Sequence, residues 1–334
     1  MSPYESCLPV YVLGVDSGGT RSEALLTDGE GHVLSRGACD FRDPDSGRGP
    51  GGSGRSDRTV RKAVQQALRT LRPDEELRLV VAGRARLPDG WTPAGHRWQI
   101  TGVPVREPDG ALALADTDAG FVVLAGTGAF VYGRMPDGRE AHLDSLGPLL
   151  GDAGSAFEIG LRAVRAVARS GWHERRRTSL VEPVIAACRE YSGQGRRFSL
   201  VEYMLECRDR SEIASLARIV DAHAEQGDRI AREILIQAAD SISETLHDAV
   251  DRLDAVNAAV PMVAAGSVAK RSRIYWERVC ERAAEFAPRL IPVRPPEPDV
   301  VGVLLAAMPH ITGLRPDFAT NLRGHFSSEN GERS

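Results

Sequence analysis

A carboxylate, two glycines and two hydroxyls directly follow the first apolar stretch of the chain. The apolar run 10–15 predicts a buried β-strand. The residues that follow it are Asp16, Ser17, Gly18, Gly19 and Thr20. Glycines permit a tight turn whose backbone N–H groups can approach an anion closely, and Thr20 can donate to a phosphate oxygen. Asp16 can hold Mg²⁺ through water, because Mg²⁺ prefers oxygen ligands and keeps several of its waters.

The same residues are also compatible with an ordinary glycine hairpin. Residues 23–28 and the following Gly29-Glu30-Gly31 predict a second strand that enters a turn, so the glycine motif joins two antiparallel strands. A Rossmann loop would instead join a strand to a helix through Gly-x-Gly-x-x-Gly, and a Walker A loop would need Gly-Lys-Ser/Thr. The motif alone therefore leaves both interpretations open.

The pattern of strand, Gly/Thr turn and strand occurs a second time, about 110 residues later. Residues 120–125 predict an apolar strand, and residues 129–133 predict the strand that pairs with it. The turn between them consists of Gly126, Thr127 and Gly128. Internal duplication of this kind predicts two similar domains that face one another.

Three further stretches carry candidate residues. Asp109 lies at a predicted strand-to-helix turn, before an alanine/leucine helix at 111–115. The block 146–155, Leu-Gly-Pro-Leu-Leu-Gly-Asp-Ala-Gly-Ser, contains Asp152 and leads into an amphipathic helix. A late strand at 262–265 ends in Gly266 and Ser267. Either aspartate could instead be a helix N-cap, since Asp is a preferred residue there.

The order of these motifs resembles the actin/sugar-kinase/heat-shock ATPase superfamily. More narrowly, it is similar to the BadF/BadG/BcrA/BcrD ATPase family, which includes N-acetylglucosamine and glucosamine kinases. The resemblance spans about residues 10–310 and is most specific in the block 146–155. It implies an α/β fold of two ribonuclease-H-like lobes, with a hinge and an ATP cleft between them. The implied division is an N-terminal lobe at 10–116 completed by a helix at 299–312, a C-terminal lobe at 117–298, and flexible tails at 1–9 and 315–334.

The resemblance also implies ATP and Mg²⁺ as cofactors and assigns roles to residues. Asp16 would organise Mg²⁺, and Asp109 would be the general base that accepts the proton of a sugar hydroxyl. The residues implied to bind the phosphates and the adenosine are Ser17, Gly18, Gly19, Thr20, Gly126, Thr127, Gly128, Gly266 and Ser267. The residues implied to face the acceptor are Asp40, Asp109, Asp144, Gly147 and Asp152.

The sequence departs from the family pattern mainly on the acceptor side. Asp40 lies in the loop where acetylhexosamine kinases of the family usually have Asn, and Asp144 lies in a lead that is usually Gly/Trp-rich. Ala129 follows the second turn, where Ser is usual. The resemblance implies an amino sugar of the glucosamine or N-acetylglucosamine type as the acceptor. Because a carboxylate can pair with an ammonium group, Asp40 and Asp144 could suit an amino or differently hydroxylated substrate. Another sugar or an aminocyclitol is the alternative.

Two functions of other classes remain open. Some members of the family are ATP-driven activators of a dehydratase or reductase, and they hold an iron–sulfur cluster between two subunits through cysteines. The five cysteines here are scattered outside any Cys-Gly cluster motif, which disfavours this function. A catalytically silent sugar- or nucleotide-binding protein is the third hypothesis.

The composition bounds the partners and the compartment. The 334 residues carry a net charge of −4, which argues against a nucleic-acid or anionic-membrane binder. No apolar run approaches the ~20 residues that span a bilayer. Scattered cysteines are typical of reduced thiols in the cytoplasm. The resemblance to the family implies a homodimer that acts on small molecules. The Gly/Pro/Arg-rich stretch 42–58 is predicted to be a loop, either a substrate lid or a disordered insertion.

Overall fold

A computed structural model describes residues 8–40, 52–192, 199–207 and 209–331 of the chain. The chain divides into two compact units. The first consists of Met1–Asp118 together with Pro296–Ser334, and the second is Ala119–Pro295.

A five-stranded mixed sheet forms the centre of the first unit, in the order β3-β2-β1-β4-β5. Its strands are β1 (Val10–Ser17), β2 (Arg21–Asp28), β3 (Val33–Asp40), β4 (Leu77–Ala82) and β5 (Trp98–Val103). β1, β2 and β3 pair antiparallel, whereas β4 and β5 run parallel to β1. Alternate residues of β1 enter different cores, Leu13 on one face and Val12 on the other. Residues 12–15 of this central strand are therefore apolar, because both of its faces are covered there.

Helices cover the two faces of the first sheet. They are α1 (Gly52–Ala67), α2 (Glu107–Leu114), α11 (Asp299–Ala307) and α12 (Phe318–Gly331). The predicted loop at 42–58 is wrong from Gly52 onward, because α1 already begins there. Each residue added to an existing helix gains a backbone hydrogen bond, which lets the amphipathic helix extend into a glycine-rich lead. Residues 42–51 lie outside the described part of the chain, and with them most of the stretch interpreted as a lid or an insertion.

The end of the chain corrects the prediction of a flexible tail at 315–334. Phe318, Leu322 and Phe326 recur at a spacing of four residues, and all three are buried in the core that contains α11. Arg323 of the same helix pairs with Glu297 at 2.8 Å. The polar composition concealed a one-sided apolar stripe that is wide enough to anchor a helix.

The second unit repeats the sheet of the first. Its strands are β6 (Gly120–Ala125), β7 (Ala129–Arg134), β8 (Glu140–Asp144), β9 (Pro261–Ala265) and β10 (Ile291–Val293). The order β8-β7-β6-β9-β10 again has three antiparallel strands followed by two parallel ones. Two five-stranded mixed sheets with the same topology confirm the predicted α/β class and the internal duplication.

The helices of the second unit enclose a large apolar core against β6, β7 and β9. They are α3 (Ala156–Arg169), α4 (Val181–Ser192), α5 (Leu200–Glu206), α6 (Arg210–Ser215), α7 (Ala217–Glu225), α8 (Arg229–Arg252), α9 (Gly266–Arg271) and α10 (Arg273–Phe286). Within the described ranges, no helix combines the length and the apolar character needed to cross a bilayer.

Candidate functional site

The first glycine turn joins β1 to β2 at the end of a buried strand. The backbone N–H of Gly18 donates to the carbonyl of Arg21 at 3.0 Å, which closes the turn. Ser17, Gly18 and Gly19 are exposed to solvent. Asp40 ends β3 and lies opposite Arg21 in the sheet register, so it belongs to the same end of this sheet. The exposed turn therefore lies at the end of the sheet that also carries the carboxylate of Asp40.

A close crossing of two helices places a second group of carboxyls in this unit. A Cβ atom added to Gly302 of α11 would lie 2.3 Å from the carbonyl oxygen of Gly110 of α2. Only glycine allows this approach. Glu107 stands three residues before Gly110, and Asp299 stands three residues before Gly302. The crossing therefore brings the first residues of α2 and α11 near one another.

The start of α2 corrects the predicted helix at 111–115. The helix begins at Glu107 and includes Pro108, since proline is well tolerated in a first turn, where the backbone N–H lacks a helical partner. Glu107, which was not among the predicted site residues, thereby becomes the first residue of α2. The signal that could have identified it is this helix-starting proline.

Asp16 is surrounded by other carboxylates. Burial, followed by the negative charges of Asp299, Glu107 and Glu23, raises the pKa of Asp16 to about 7. Burial and the charge of Asp299 likewise raise the pKa of Glu107 to about 7. A bound cation would relieve this repulsion, because an opposite charge favours the ionised carboxylates.

This donor set fits Mg²⁺ bound together with phosphate. Among the described residues, no three or more His, Cys, Asp or Glu side chains are grouped so that they could hold a metal ion by themselves. Mg²⁺ is commonly held by one or two carboxylates, with waters and substrate phosphates as its other ligands. Asp16 is placed to supply such a carboxylate beside the exposed amides of the first turn.

Asp109 lies in the first turn of α2, where it pairs with Arg106. The guanidinium of Arg106 donates to both oxygens of Asp109, at 2.8 and 3.1 Å. The N-cap residue of α2 is Arg106, so Asp109 does not cap this helix. A carboxylate that accepts from a guanidinium through both oxygens has fewer lone pairs available for another proton.

The second glycine turn is fixed by the start of α3. The N–H of Gly126 donates to the carbonyl of Gly128 at 2.9 Å, and the N–H of Ala156 donates to the carbonyl of Gly126 at 2.8 Å. Gly266 adopts a φ of +75°, and a Cβ there would lie 2.6 Å from the carbonyl oxygen of Ala125. In the second unit, the structure thus brings Gly266 against the turn that begins at Gly126. Ser267 follows Gly266 as an exposed residue of α9.

Asp152 stabilises this second turn from the side. Its Oδ1 accepts a hydrogen bond from the N–H of Ala129 at 3.2 Å. A Cβ on Gly128 would lie 2.8 Å from the same oxygen, so glycine is needed for the approach. Burial raises the pKa of Asp152, while the bond from Ala129 lowers it. The N-cap of α3 is Ser155, which leaves Asp152 free of the capping role that its position suggested.

Asp144 organises the loop that carries Asp152. Its Oδ1 accepts from the N–H groups of Leu146 and Asp152, at 3.3 and 2.7 Å, and its Oδ2 accepts from Ala153 at 3.0 Å. Gly147 closes the loop, because its carbonyl accepts from Gly151 at 2.8 Å. Both oxygens of Asp144 are thus engaged by the backbone, so its predicted pairing with an ammonium group would have to compete with these bonds.

Arg210, the first residue of α6, was not identified from the sequence. Its Nη1 lies 3.7 Å from Oδ2 of Asp152, and its side chain is 59% exposed. It also lies 3.7 Å from the position that a Cβ on Gly147 would take. α6 is held on α3 because Gly160 allows the carbonyl of Ile213 to approach. No local motif marks this arginine, since only tertiary packing brings it to the loop.

The sequence profile of the BadF/BadG/BcrA/BcrD ATPase family matches residues 13–302. An N-acetylmuramic acid/N-acetylglucosamine kinase of Clostridium acetobutylicum is 30% identical over 164 residues, which cover 48% of this chain and 52% of that protein. The chain thus spans about half the length of this relative. An N-acetyl-D-glucosamine kinase of Dictyostelium discoideum is 22% identical over 297 residues, covering 83% of this chain and 91% of that protein.

The fold has a solved counterpart in Chromobacterium violaceum. The crystal structure of a candidate N-acetylglucosamine kinase from this organism superposes with a TM-score of 0.53 at 20% identity. The match covers 89% of this chain and 98% of that chain. This likeness supports the two-sheet α/β architecture described above.

Proposed function

The chain belongs to the BadF/BadG/BcrA/BcrD ATPase family, and from that premise we propose that it transfers the γ-phosphoryl group of ATP to a hydroxyl of an amino sugar. The products are ADP, a sugar phosphate ester and the proton of the hydroxyl. The observation that carries the proposal is the repeated turn: Gly18–Thr20 and Gly126–Gly128 each follow the first strand of a five-stranded sheet, and the two sheets have the same topology. The names of the curated relatives support the amino sugar as the acceptor.

The residues of the two turns would bind the nucleotide. Backbone amides of Gly18 and Gly19 would donate to phosphate oxygens at the first turn, and those of Thr127 and Gly128 at the second. Gly266 would allow the adenosine to approach the backbone. Asp16 would hold Mg²⁺ through water, and this ion, when bound, neutralises charge that develops on the phosphates.

Two carboxyls of α2 are candidates for the general base. The sequence points to Asp109, but both of its oxygens are held by Arg106. Burial and the nearby charge of Asp299 raise the pKa of Glu107 to about 7. A base whose pKa lies near the working pH accepts a proton more effectively than an ordinary carboxylate. We therefore propose Glu107 as the group that accepts the proton of the acceptor hydroxyl, with Asp109 positioning Arg106.

The reaction is tested with ATP, Mg²⁺ and a panel of sugars and aminocyclitols that includes glucosamine and N-acetylglucosamine. The expected result is ADP release matched by a product whose mass is that of the sugar plus one phosphoryl group. ADP release without a phosphorylated acceptor would contradict the kinase proposal. A preference for glucosamine would support pairing of the ammonium with Asp40, whereas a preference for the acetylated sugar would count against it.

The base is tested by comparing Glu107→Gln with Asp109→Asn. Loss of a general base costs about 10²- to 10⁴-fold in kcat. We expect Glu107→Gln to lose about 100-fold or more while ATP binding persists, and Asp109→Asn to lose about 10-fold or less. The reverse order would return the role of base to Asp109.

A cytoplasmic homodimer is part of the same proposal and rests on the resemblance to the family. Sedimentation equilibrium of the purified chain would test the dimer, and a monomer at all concentrations would contradict it.

A further inference from the structure

The guanidinium of Arg210 has unused hydrogen-bonding capacity beside the loop 144–153, which is predicted to face the acceptor. Among the described residues, its one ion pair is the 3.7 Å approach to Asp152, which is longer than a hydrogen bond. A guanidinium offers five N–H donors in a fixed plane, a geometry that matches a carboxylate through two parallel bonds. The exposed guanidinium is therefore placed to bind an anion that is not part of the described chain.

The scaffold behind Arg210 is fixed. α6 is packed on α3 through Gly160, where a Cβ would lie 1.9 Å from the carbonyl oxygen of Ile213. Asp209 caps α6 by accepting from the N–H of Ser211 at 2.9 Å. The backbone of Arg210 is thus held between a cap and a close helix crossing. A side chain on a fixed backbone loses less conformational entropy when it binds than one on a mobile backbone.

Asp152 lies between Arg210 and the second glycine turn. The two oxygens of Asp152 make different contacts: Oδ1 accepts from the N–H of Ala129, which follows the turn, and Oδ2 faces Arg210. The guanidinium also lies near Gly147, whose loop folds around Asp144. It therefore stands on the side of the loop that is predicted to face the acceptor, with a carboxylate between it and the turn that is proposed to bind phosphate.

We propose that Arg210 binds a carboxylate substituent of the acceptor, so that the substrates of this chain include acidic N-acetylated amino sugars. This inference rests on the proposed kinase function and specifies its substrate class. Arg210 would be a specificity-determining residue that binds the acid directly. Asp152 would orient the guanidinium without taking up its hydrogen-bond donors.

A matched pair of acceptors tests the proposal. N-acetylmuramic acid differs from N-acetylglucosamine by a lactyl ether that carries a carboxylate. We would measure kcat/KM for both sugars with saturating ATP·Mg²⁺, using the full chain and the variants Arg210→Ala and Arg210→Lys. Arg218→Ala, which removes an exposed arginine from the next helix, α7, is the control variant.

The full chain is expected to phosphorylate both sugars. A hydrogen-bonded charge pair is worth about 10- to 100-fold in affinity, so Arg210→Ala should lose that factor in kcat/KM for the acid. It should lose less than about 3-fold for the neutral sugar. Arg210→Lys should lie between the two, because an ammonium cannot form both parallel bonds. The Arg218→Ala control should leave both values unchanged.

Three results would overturn the inference. Equal losses on both sugars would show that Arg210 only positions Asp152. A raised KM for ATP with either acceptor would show that it binds the nucleotide. Phosphorylation of the neutral sugar alone by the full chain would refute the acidic acceptor and leave the proposed kinase function intact, whereas phosphorylation of no sugar would refute the kinase function itself.

Discussion

Replacing Gly154 with alanine should destabilise the second unit far more than the same replacement at Gly138. Both glycines have a positive φ, +81° at Gly154 and +87° at Gly138. A Cβ at Gly154 would lie 2.6 Å from the carbonyl oxygen of Ala238 and 2.7 Å from the hydroxyl of Tyr275. A Cβ at Gly138 would meet no atom within 4 Å. The pair therefore separates backbone strain from steric overlap.

The magnitudes follow from these contacts. A left-handed conformation costs an alanine about 1–2 kcal/mol, and this cost applies to both variants. Overpacking against Ala238 and Tyr275 adds about 1–3 kcal/mol at Gly154 alone. The buried Tyr275 hydroxyl donates to the carbonyl of Gly154 at 2.9 Å, and displacing it adds about 1 kcal/mol. We expect a loss of about 4 kcal/mol for Gly154→Ala and about 1 kcal/mol for Gly138→Ala.

Urea unfolding followed by tryptophan fluorescence measures both losses. Trp276 is a suitable reporter, because it is buried and adjoins Tyr275 in α10. Tyr275→Phe removes only the hydroxyl and should cost about 1–2 kcal/mol. If Gly154→Ala were no more destabilising than Gly138→Ala, the close packing of the loop against α8 and α10 would be refuted.

Three other outcomes are expected. Asp152→Ala removes the acceptor for the N–H of Ala129 and should raise the KM for ATP about 5- to 10-fold. Asp152→Asn keeps an oxygen at this position, so its KM for ATP should stay within about 3-fold of the wild-type value. Equal effects of the two variants would contradict the hydrogen bond. Arg323→Ala leaves Glu297 without its 2.8 Å partner and should cost about 1–3 kcal/mol in urea unfolding, and a neutral result would show that the pair does not stabilise α12. The pKa of Asp16 is about 7 in the folded chain against 3.8 for a free side chain, so its proton stabilises the fold below about pH 4, and this contribution is lost as the pH rises through 7. In EDTA, the free energy of unfolding of Asp16→Asn should therefore rise relative to that of the wild type by about 2–4 kcal/mol between about pH 4 and about pH 8. A difference that does not depend on pH would contradict the raised pKa.

The repeated sheet could be predicted because its signals are local. An apolar run that ends in glycines marks both β1 and β6, and the antiparallel partner follows each turn within a few residues. The strand pairings that close each sheet are long-range, but two copies of one pattern predict one topology. Asp16 and the Gly126–Gly128 turn lie where the pattern predicts them.

The two helices that were mispredicted depend on how a helix starts and on long-range packing. The helix was predicted to begin at Ala111, after Pro108 and Gly110, although proline fits a first turn and Gly110 is needed for the crossing with α11. The start of α2, and with it Glu107, was therefore missed. α12 was missed because its apolar stripe lies in a segment of polar composition, and burial against the rest of the first unit stabilises it.

The block around Asp152 explains why the reaction class is easier to predict than the acceptor. Gly128 and Gly154 are required by close contacts, and the carboxylate of Asp144 is used to fold the loop. The block 146–155 thus stabilises the second turn, and a phosphoryl transfer of the proposed type needs this turn for any acceptor. The group with free hydrogen-bonding capacity at this place is Arg210, which lies outside the motif and reaches it only through the packing of α6 on α3. Acceptor specificity would then change through single residues on peripheral helices, while the glycine turns keep the same phosphate chemistry.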